Sequence, residues 1–296
     1  MVRDNFPMEV FLCEPHGLCV GVKRALEIAS KARKENEGPI HVLGSLIHNE
    51  TIMGELEAEG FIFHSENRLV LEEEMRDLPL GSIVLFPAHG HDSELDELAK
   101  EKEFKVYDAA CPFVKSNMDL IKKSIKEGHG IVYVGRKGHA EAEACLSLSP
   151  SIALYDVKGE DDGRWKKMQD RILVLVQTTL AEDDVEKAFA SIKERYRCAI
   201  FANRPCLATK ERQEALKGVP NDISAFVIIG SPRSNNTMAL LQMAKALYPH
   251  AECVLALDLD ELKKKSLPKG GKVALTSGAS TPESVFLQIK EYLESL

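Results

Sequence analysis

Short apolar runs recur along the chain, each closed by glycine or by a small polar cluster and each followed by residues at helical spacing. Runs of one kind, at residues 40–43, 131–134 and 227–229, end in Gly44, Gly135 and Gly230. Runs of a second kind, at 83–86, 172–176 and 273–275, end in Ala88-His89-Gly90, Gln177-Thr178-Thr179 and Thr276-Ser277-Gly278-Ala279-Ser280. Continuous apolar stretches of this length bounded by turn residues read as buried strands of parallel sheets, and their alternation with helical patterns predicts an α/β fold. A third kind of run, residues 104–107, leads through Asp108-Ala109-Ala110 to Cys111-Pro112, and a helical stripe of Val114, Met118, Ile121 and Ile125 follows. Proline suits the first turn of a helix, so Cys111 is expected at a helix N-terminus, where the helix dipole favours thiolate over thiol.

Cys19 and Cys206 stand in similar settings, leading into apolar stripes that begin at Val22 and into residues 211–217; the three cysteines are 92 and 95 positions apart, and each has a lysine four residues on. Counted from its cysteine, His48, His139 and Ser234 lie at offsets 29, 28 and 28, and His89, Thr178 and Ser280 at 70, 67 and 74. Quantities in phase across three stretches indicate a threefold internal repeat. The predicted architecture is a trefoil of three pseudo-symmetric α/β units: residues 1–110 with an N-terminal strand, 111–203, and 204–296 with a C-terminal helix. The remaining expectations are a loose extension at 1–7, strands at 8–13, 61–64, 198–201 and 253–257, and helices at 51–59, 93–102, 141–148, 182–196, 236–247, 259–265 and 282–296. Cys13, Cys145 and Cys198 are expected as structural thiols, and Trp165, beside the acidic turn 160–163, as a surface anchor.

Composition narrows the setting. With 44% hydrophobic and 28% charged residues, the 296-residue chain has the make-up of an ordinary globular protein. No apolar run approaches the ~18–20 residues of a membrane span, and no long apolar leader opens the chain, which predicts a cytoplasmic protein without a membrane partner. A net charge of −8 argues against nucleic acid as a partner. Seven cysteines in a reducing compartment point to metal or redox chemistry rather than disulfides.

Three helix-start cysteines related by a repeat can converge on one centre. Structural zinc takes four protein ligands, with local Cys-x-x-Cys pairs that this chain lacks, whereas thiolates also hold 4Fe–4S clusters, and three of them leave one iron open. Three unconnected buried cysteines are the competing reading, which the phasing disfavours. The other in-phase residues, His48, His89 and His139 with Ser234, Asn235, Asn236 and Ser280, form a set of neutral donors suited to phosphate oxygens. Glu141, two residues after His139, is a candidate proton source with Glu143 as its rival, and Thr178 or Thr179 is a candidate relay.

These segments carry a resemblance. His16-Gly17-Leu18-Cys19-Val20-Gly21-Val22, Ile47-His48-Asn49, Ala88-His89-Gly90, Cys111-Pro112, Gly138-His139-Ala140-Glu141, Gln177-Thr178-Thr179-Leu180, Arg212-Gln213-Glu214 and Ser277-Gly278-Ala279-Ser280 resemble the LytB family from about Val10 to Leu296. The resemblance implies a 4Fe–4S cluster held by Cys19, Cys111 and Cys206, with the substrate's allylic oxygen at the open iron. It implies reductive dehydroxylation of 4-hydroxy-3-methylbut-2-enyl diphosphate to isopentenyl and dimethylallyl diphosphates in the methylerythritol phosphate pathway. His48, His89, His139, Ser234, Asn236 and Ser280 would hold the diphosphate, Glu141 with Thr178 would deliver protons, and a ferredoxin or flavodoxin would supply electrons. The chain departs from the family's pattern in three places: His-Pro-Glu reads His139-Ala140-Glu141, Thr-Asn-Arg-Gln reads Lys210-Glu211-Arg212-Gln213, and the serine- and asparagine-rich phosphate loop reads Ser234-Asn235-Asn236-Thr237-Met238 behind Arg233. A different reducible substrate at the same cluster and a non-catalytic electron-carrying protein are the alternatives.

Overall fold

The computed structural model describes residues 8–168, 171–268 and 270–296; the extension expected at 1–7 lies outside them. Among the described residues, twelve strands form three parallel sheets of four. The first joins β2 (Ile40–Val42), β3 (Phe61–Phe63), β4 (Ile83–Phe86) and β5 (Lys105–Asp108) in the order β3-β2-β4-β5. The second joins β6 (Gly130–Gly135), β7 (Ala153–Asp156), β8 (Ile172–Val176) and β9 (Ile200–Phe201) in the order β7-β6-β8-β9. The third joins β10 (Ile223–Ile229), β11 (Glu252–Ala256), β12 (Lys272–Ser277) and the N-terminal β1 (Glu9–Leu12). Its order, β11-β10-β12-β1, repeats the other two once β1 is counted as the last strand. The register Leu12↔Leu275 thus lets the first strand of the chain complete the last sheet. In every sheet the fourth strand is the one that delivers a cysteine.

Contacts sort the chain into two compact units: one of the chain up to Val20, His48–Thr51 and Leu207–Leu296, the other of Gly21–Ile47 and Ile52–Cys206. The first unit holds the third sheet. Because successive side chains of a strand face opposite ways, Ala225, Val227 and Ile229 of β10 pack with Phe286, Ile289 and Leu293 of α11 (Glu283–Glu294), while Phe226 and Ile228 pack with Leu216 of α8 (Leu207–Lys217) and Leu240 and Ala244 of α9 (Asn235–Leu247). Burial on both faces explains why these strands read as continuous apolar runs.

The second unit holds the other two sheets. Val132, Val134, Val174 and Val176 meet Phe189 and Ile192 of α7 (Glu182–Arg195). On the opposite face Ile131, Tyr133, Leu173 and Leu175 meet Ile121 of α5 (Pro112–Lys126) and Ala142 and Cys145 of α6 (Ala140–Leu146). As expected, Cys111 caps α5 with proline at its start, and α1 (Val20–Lys34) opens directly after Cys19. The helices α2 (Glu50–Ala58), α4 (Ser93–Glu101) and α10 (Leu259–Lys263) also lie where helical spacing placed them.

Two expectations are corrected, and one helix is added. Trp165 is buried, not a surface anchor; it packs in the Val132–Val174 core with its ring 4.9 Å from Tyr155. Cys198 is exposed and precedes β9, so it is no core thiol. A helix that the apolar pattern did not suggest, α3 (Arg68–Asp77), is capped by the Asn67 side chain, which accepts from the backbone N–H groups of Leu69 and Val70. Only Leu71 and Met75 of α3 are buried, too few for a visible stripe.

Candidate active site

One motif recurs at all three predicted cluster ligands. The Cys19 N–H donates to the Ala279 carbonyl at 2.9 Å, the Cys111 N–H to the Ala88 carbonyl at 2.9 Å, and the Cys206 N–H to the Thr178 carbonyl at 3.0 Å. Each acceptor lies just beyond the C-terminal end of a second-kind strand: β12, β4 and β8. This is the crevice side of an open parallel sheet, where ligands are commonly bound. The loops after these strands are thus tied to the cysteine-bearing turns by the backbone alone.

In the two-sheet unit, Asn117 of α5 donates to the Val176 carbonyl at 3.2 Å and accepts from Asn203 at 2.9 Å, while Asn203 also accepts from the Val176 N–H at 2.8 Å. This amide pair, buried at Asn117 and half-buried at Asn203, binds the helix that starts after Cys111 to the segment that ends at Cys206. Gly90, at φ +83°, lets the His89 loop press against α5 and α6; a Cβ there would stand 3.0 Å from Val114 and 3.5 Å from Ala144. His89 meets His139 edge to face, with ring centroids 5.8 Å apart. His139 caps α6, its Nδ1 accepting the Glu141 backbone N–H at 3.2 Å. That bond assigns the proton of the neutral ring to Nε2, leaving Nε2 as the donor.

Glu141 is 1% exposed. Its Oε1 accepts from the Thr178 N–H at 2.8 Å, and its Oε2 takes the Thr178 hydroxyl at 2.8 Å. Burial pushes its carboxyl up to about 7, against the opposing pull of the Thr178 and Tyr133 donors. A carboxyl poised there can hold or release a proton near neutral pH. The rival Glu143 is exposed and accepts from the Gly138 N–H, a loop-closing role. Thr179 is occupied with Gln177 at 2.9 Å, so Thr178 is the hydroxyl beside the acid. Lys115, four residues past Cys111, pairs with Asp108.

In the other unit the segment Ser277–Ser280 is the hub. Ser277 Oγ accepts from the Gly17 N–H at 2.8 Å, and the buried Arg212 donates to the Gly17 carbonyl at 2.7 Å. His16 stacks on Phe286 at 3.7 Å, and these contacts together hold the turn that carries Cys19. Asn236 Oδ1 accepts from the Ala279 N–H at 3.0 Å, so the peptide groups of Ala279 join Asn236 to Cys19. Ser280 Oγ donates to the His48 carbonyl at 2.9 Å, and Asn49 donates back to the Ser280 carbonyl at 2.8 Å. Ser234 caps α9 by accepting from the Thr237 N–H, Asn235 begins that helix, and Arg233 is exposed. Gly278 is required beside them, since a Cβ would fall 2.0 Å from Thr237 Oγ1.

The predicted site residues therefore gather in two sets, His48, Asn236 and Ser280 around Cys19 in one unit, and His89, His139, Glu141 and Thr178 around Cys111 and Cys206 in the other. Arg212, Asn49, Ala279 and Tyr133 received no role from the sequence. Arg212 and Asn49 stood inside quoted motifs, whereas a tyrosine within an apolar strand carries no such signal. Among the described residues no three His, Cys, Asp or Glu side chains form the shell of a single metal ion. Cysteine thiolates are the ligands that iron–sulfur clusters take. Cys19, Cys111 and Cys206 are unbridged and half-buried at helix starts, while burial holds the Cys13 and Cys145 thiols up at about 12, where they stay protonated.

The LytB protein family model matches residues 10–294, and the chain belongs to that family. A 4-hydroxy-3-methylbut-2-enyl diphosphate reductase from Bacillus velezensis is 34% identical over 291 residues, covering 97% of this chain and 91% of that protein. The reductase of the same name from a Polaromonas species is 32% identical, covering 97% and 84%. Among solved structures, the E-1-hydroxy-2-methyl-but-2-enyl-4-diphosphate reductase from Plasmodium falciparum is similar with a TM-score of 0.85 and 28% identity, over 97% of this chain and 88% of that one. An (E)-4-hydroxy-3-methyl-but-2-enyl diphosphate reductase, described as the terminal enzyme of the non-mevalonate pathway, is similar with a TM-score of 0.67 and 28% identity, over 98% and 100%. No described helix is long and apolar enough to cross a membrane.

Proposed function

We propose that this chain is a cytoplasmic 4-hydroxy-3-methylbut-2-enyl diphosphate reductase, removing the allylic hydroxyl as water with two electrons and two protons to give isopentenyl and dimethylallyl diphosphates. Cys19, Cys111 and Cys206 would hold a 4Fe–4S cluster. Bound there, the cluster supplies the electrons, drawn from a ferredoxin or flavodoxin, and an iron without a cysteine ligand. Glu141 holds a proton on its carboxyl and passes it through the Thr178 hydroxyl toward the leaving oxygen. His48, His89, His139, Ser234, Asn235, Asn236 and Ser280 bind the diphosphate, with His139 donating from Nε2. The observation that carries this reading is the continuity from the buried Glu141 carboxyl, through Thr178, to the backbone of Cys206. It puts an acid poised near neutrality one residue away from a proposed cluster ligand.

The donor set implies a ligand rich in acceptor oxygens. A diphosphate offers such a set many acceptor oxygens, whereas the neutral alcohol offers one hydroxyl. Calorimetric titration of the anaerobic, cluster-loaded protein is expected to show the allylic diphosphate binding at least about a hundredfold more tightly than its dephosphorylated alcohol. Asn236→Ala and Ser280→Ala should each weaken the diphosphate alone, and Arg233→Ala should have only a small effect that salt removes. Equal affinity for the two compounds would reject a diphosphate site.

A further inference from the structure

Tyr133 lies in the middle of β6 and is fully buried. Its ring is fixed by close neighbours. A Cβ on Gly135 would meet it at 3.1 Å, and Ile121, Ala142, Cys145 and Leu175 surround it. Its hydroxyl stands 3.3 Å from Oε1 of Glu141, which already accepts the Thr178 N–H at 2.8 Å. The two carboxyl oxygens are therefore unequal. Oε1 faces the Thr178 backbone N–H, which can never accept, and the Tyr133 hydroxyl, so a proton on Oε1 would oppose the first and require the second to turn round and accept. Oε2 faces only the Thr178 hydroxyl, which can accept as well as donate.

We propose that Tyr133 is a positioning residue, which holds the Glu141 carboxyl in one rotamer and favours its proton on Oε2, so that the proton leaves through Thr178 Oγ1. The inference rests on the proposed role of Glu141 as proton source. The need for such a restraint is local. Ala140, at the first position of α6, has no ring to fix the backbone ahead of Glu141, and α6 is only seven residues long. The tyrosine contributes from a different element, the central strand, what the helix start lacks.

Cys145, on the same helix and within hydrogen-bonding reach of the Tyr133 hydroxyl, is kept a neutral thiol by burial, and burial likewise keeps Tyr133 a phenol. His139 turns its Nδ1 to the Glu141 backbone, and Glu143 is engaged with Gly138.

The test is Tyr133→Phe, which keeps the ring and removes the donor. In infrared difference spectra taken below and above pH 7 on protein carrying ¹³C-labelled glutamate, the carboxylic C=O band absent from Glu141→Gln belongs to Glu141. In Tyr133→Phe that band should move to higher frequency, because its oxygen loses one of two hydrogen bonds. Turnover should fall roughly tenfold, the worth of one hydrogen bond to an ionisable group, with iron content unchanged. The decline of turnover with rising pH should shift to higher pH, because the ionised form has lost a donor. If Tyr133→Phe does not fold, replacement of Tyr133 by 3-fluorotyrosine keeps the hydroxyl as a stronger donor and should move the band to lower frequency instead. A band that stays in place overturns the proposal. The infrared measurement needs no turnover, so a band that moves in a protein inactive on the diphosphate would uphold the positioning and reject the proposed substrate.

Discussion

Replacing Glu141 with glutamine is expected to make the protein more stable and less active at once. Burial raises this carboxyl from an ordinary 4.5 to about 7. Between those values the native chain keeps a proton that the unfolded chain has released, so stability falls as pH rises through that window and levels off above it. At ~1.4 kcal/mol per pKa unit the accumulated cost is on the order of 3 kcal/mol above pH 7. Glutamine has the same shape and no charge to bury. Its Oε1 can accept from the Thr178 N–H and the Tyr133 hydroxyl, and its amide can donate to Thr178 Oγ1. Urea unfolding should show Glu141→Gln more stable than the parent by up to about 3 kcal/mol above pH 7, with the difference shrinking toward zero near pH 4.5. The same variant has no proton to give, so turnover should drop by ~10²–10⁴ while the diphosphate still binds. A buried acid kept at a cost to folding is what a stability–function trade-off looks like at one residue. A pH-independent loss of stability, or near-normal turnover, would remove Glu141 from the proton path.

The second large effect concerns the cysteines. Cys19→Ser, Cys111→Ser and Cys206→Ser should each abolish the visible iron–sulfur absorption of anaerobically reconstituted protein and lower its iron and acid-labile sulfide. Cys13→Ser, Cys145→Ser, Cys198→Ser and Cys253→Ser should retain all three signals. The division follows from environment. The first three sit half-buried at helix starts, and each shares the same backbone bond to the loop after a sheet's second-kind strand. Cys13 and Cys145 are buried thiols that burial keeps protonated. Cys198 is exposed and lies outside this pattern. A colourless Cys145→Ser with a fully loaded Cys111→Ser would contradict the assignment.

Much of this was legible in the chain, because the repeat wrote it three times. Cys111-Pro112 fixed a helix start through a rule about proline, and the in-phase polar clusters marked the carboxyl ends of strands, where α/β proteins place their chemistry. The role of β1 was not legible. Its pairing with β12 joins residues more than 260 positions apart, and no local pattern carries such a register. Trp165 misled because its neighbours in sequence are charged while its neighbours in space are Val132 and Val174. Tyr133 was invisible for the reverse reason. Within an apolar strand its ring is ordinary core, and only the fold reveals that its hydroxyl reaches the one buried acid of the candidate site. Arg212 could be seen in a motif but not interpreted, since its partner is a backbone carbonyl 195 residues away.

The most direct test of the central claim is product analysis. Anaerobic, cluster-loaded protein is given a low-potential one-electron reductant and 4-hydroxy-3-methylbut-2-enyl diphosphate, and the phosphorylated products are separated and counted against the electrons consumed. Isopentenyl and dimethylallyl diphosphates are expected, formed with two electrons for each diphosphate consumed and lost when the reductant is withheld. A fully loaded protein that takes up electrons while leaving the allylic diphosphate intact would contradict the claim.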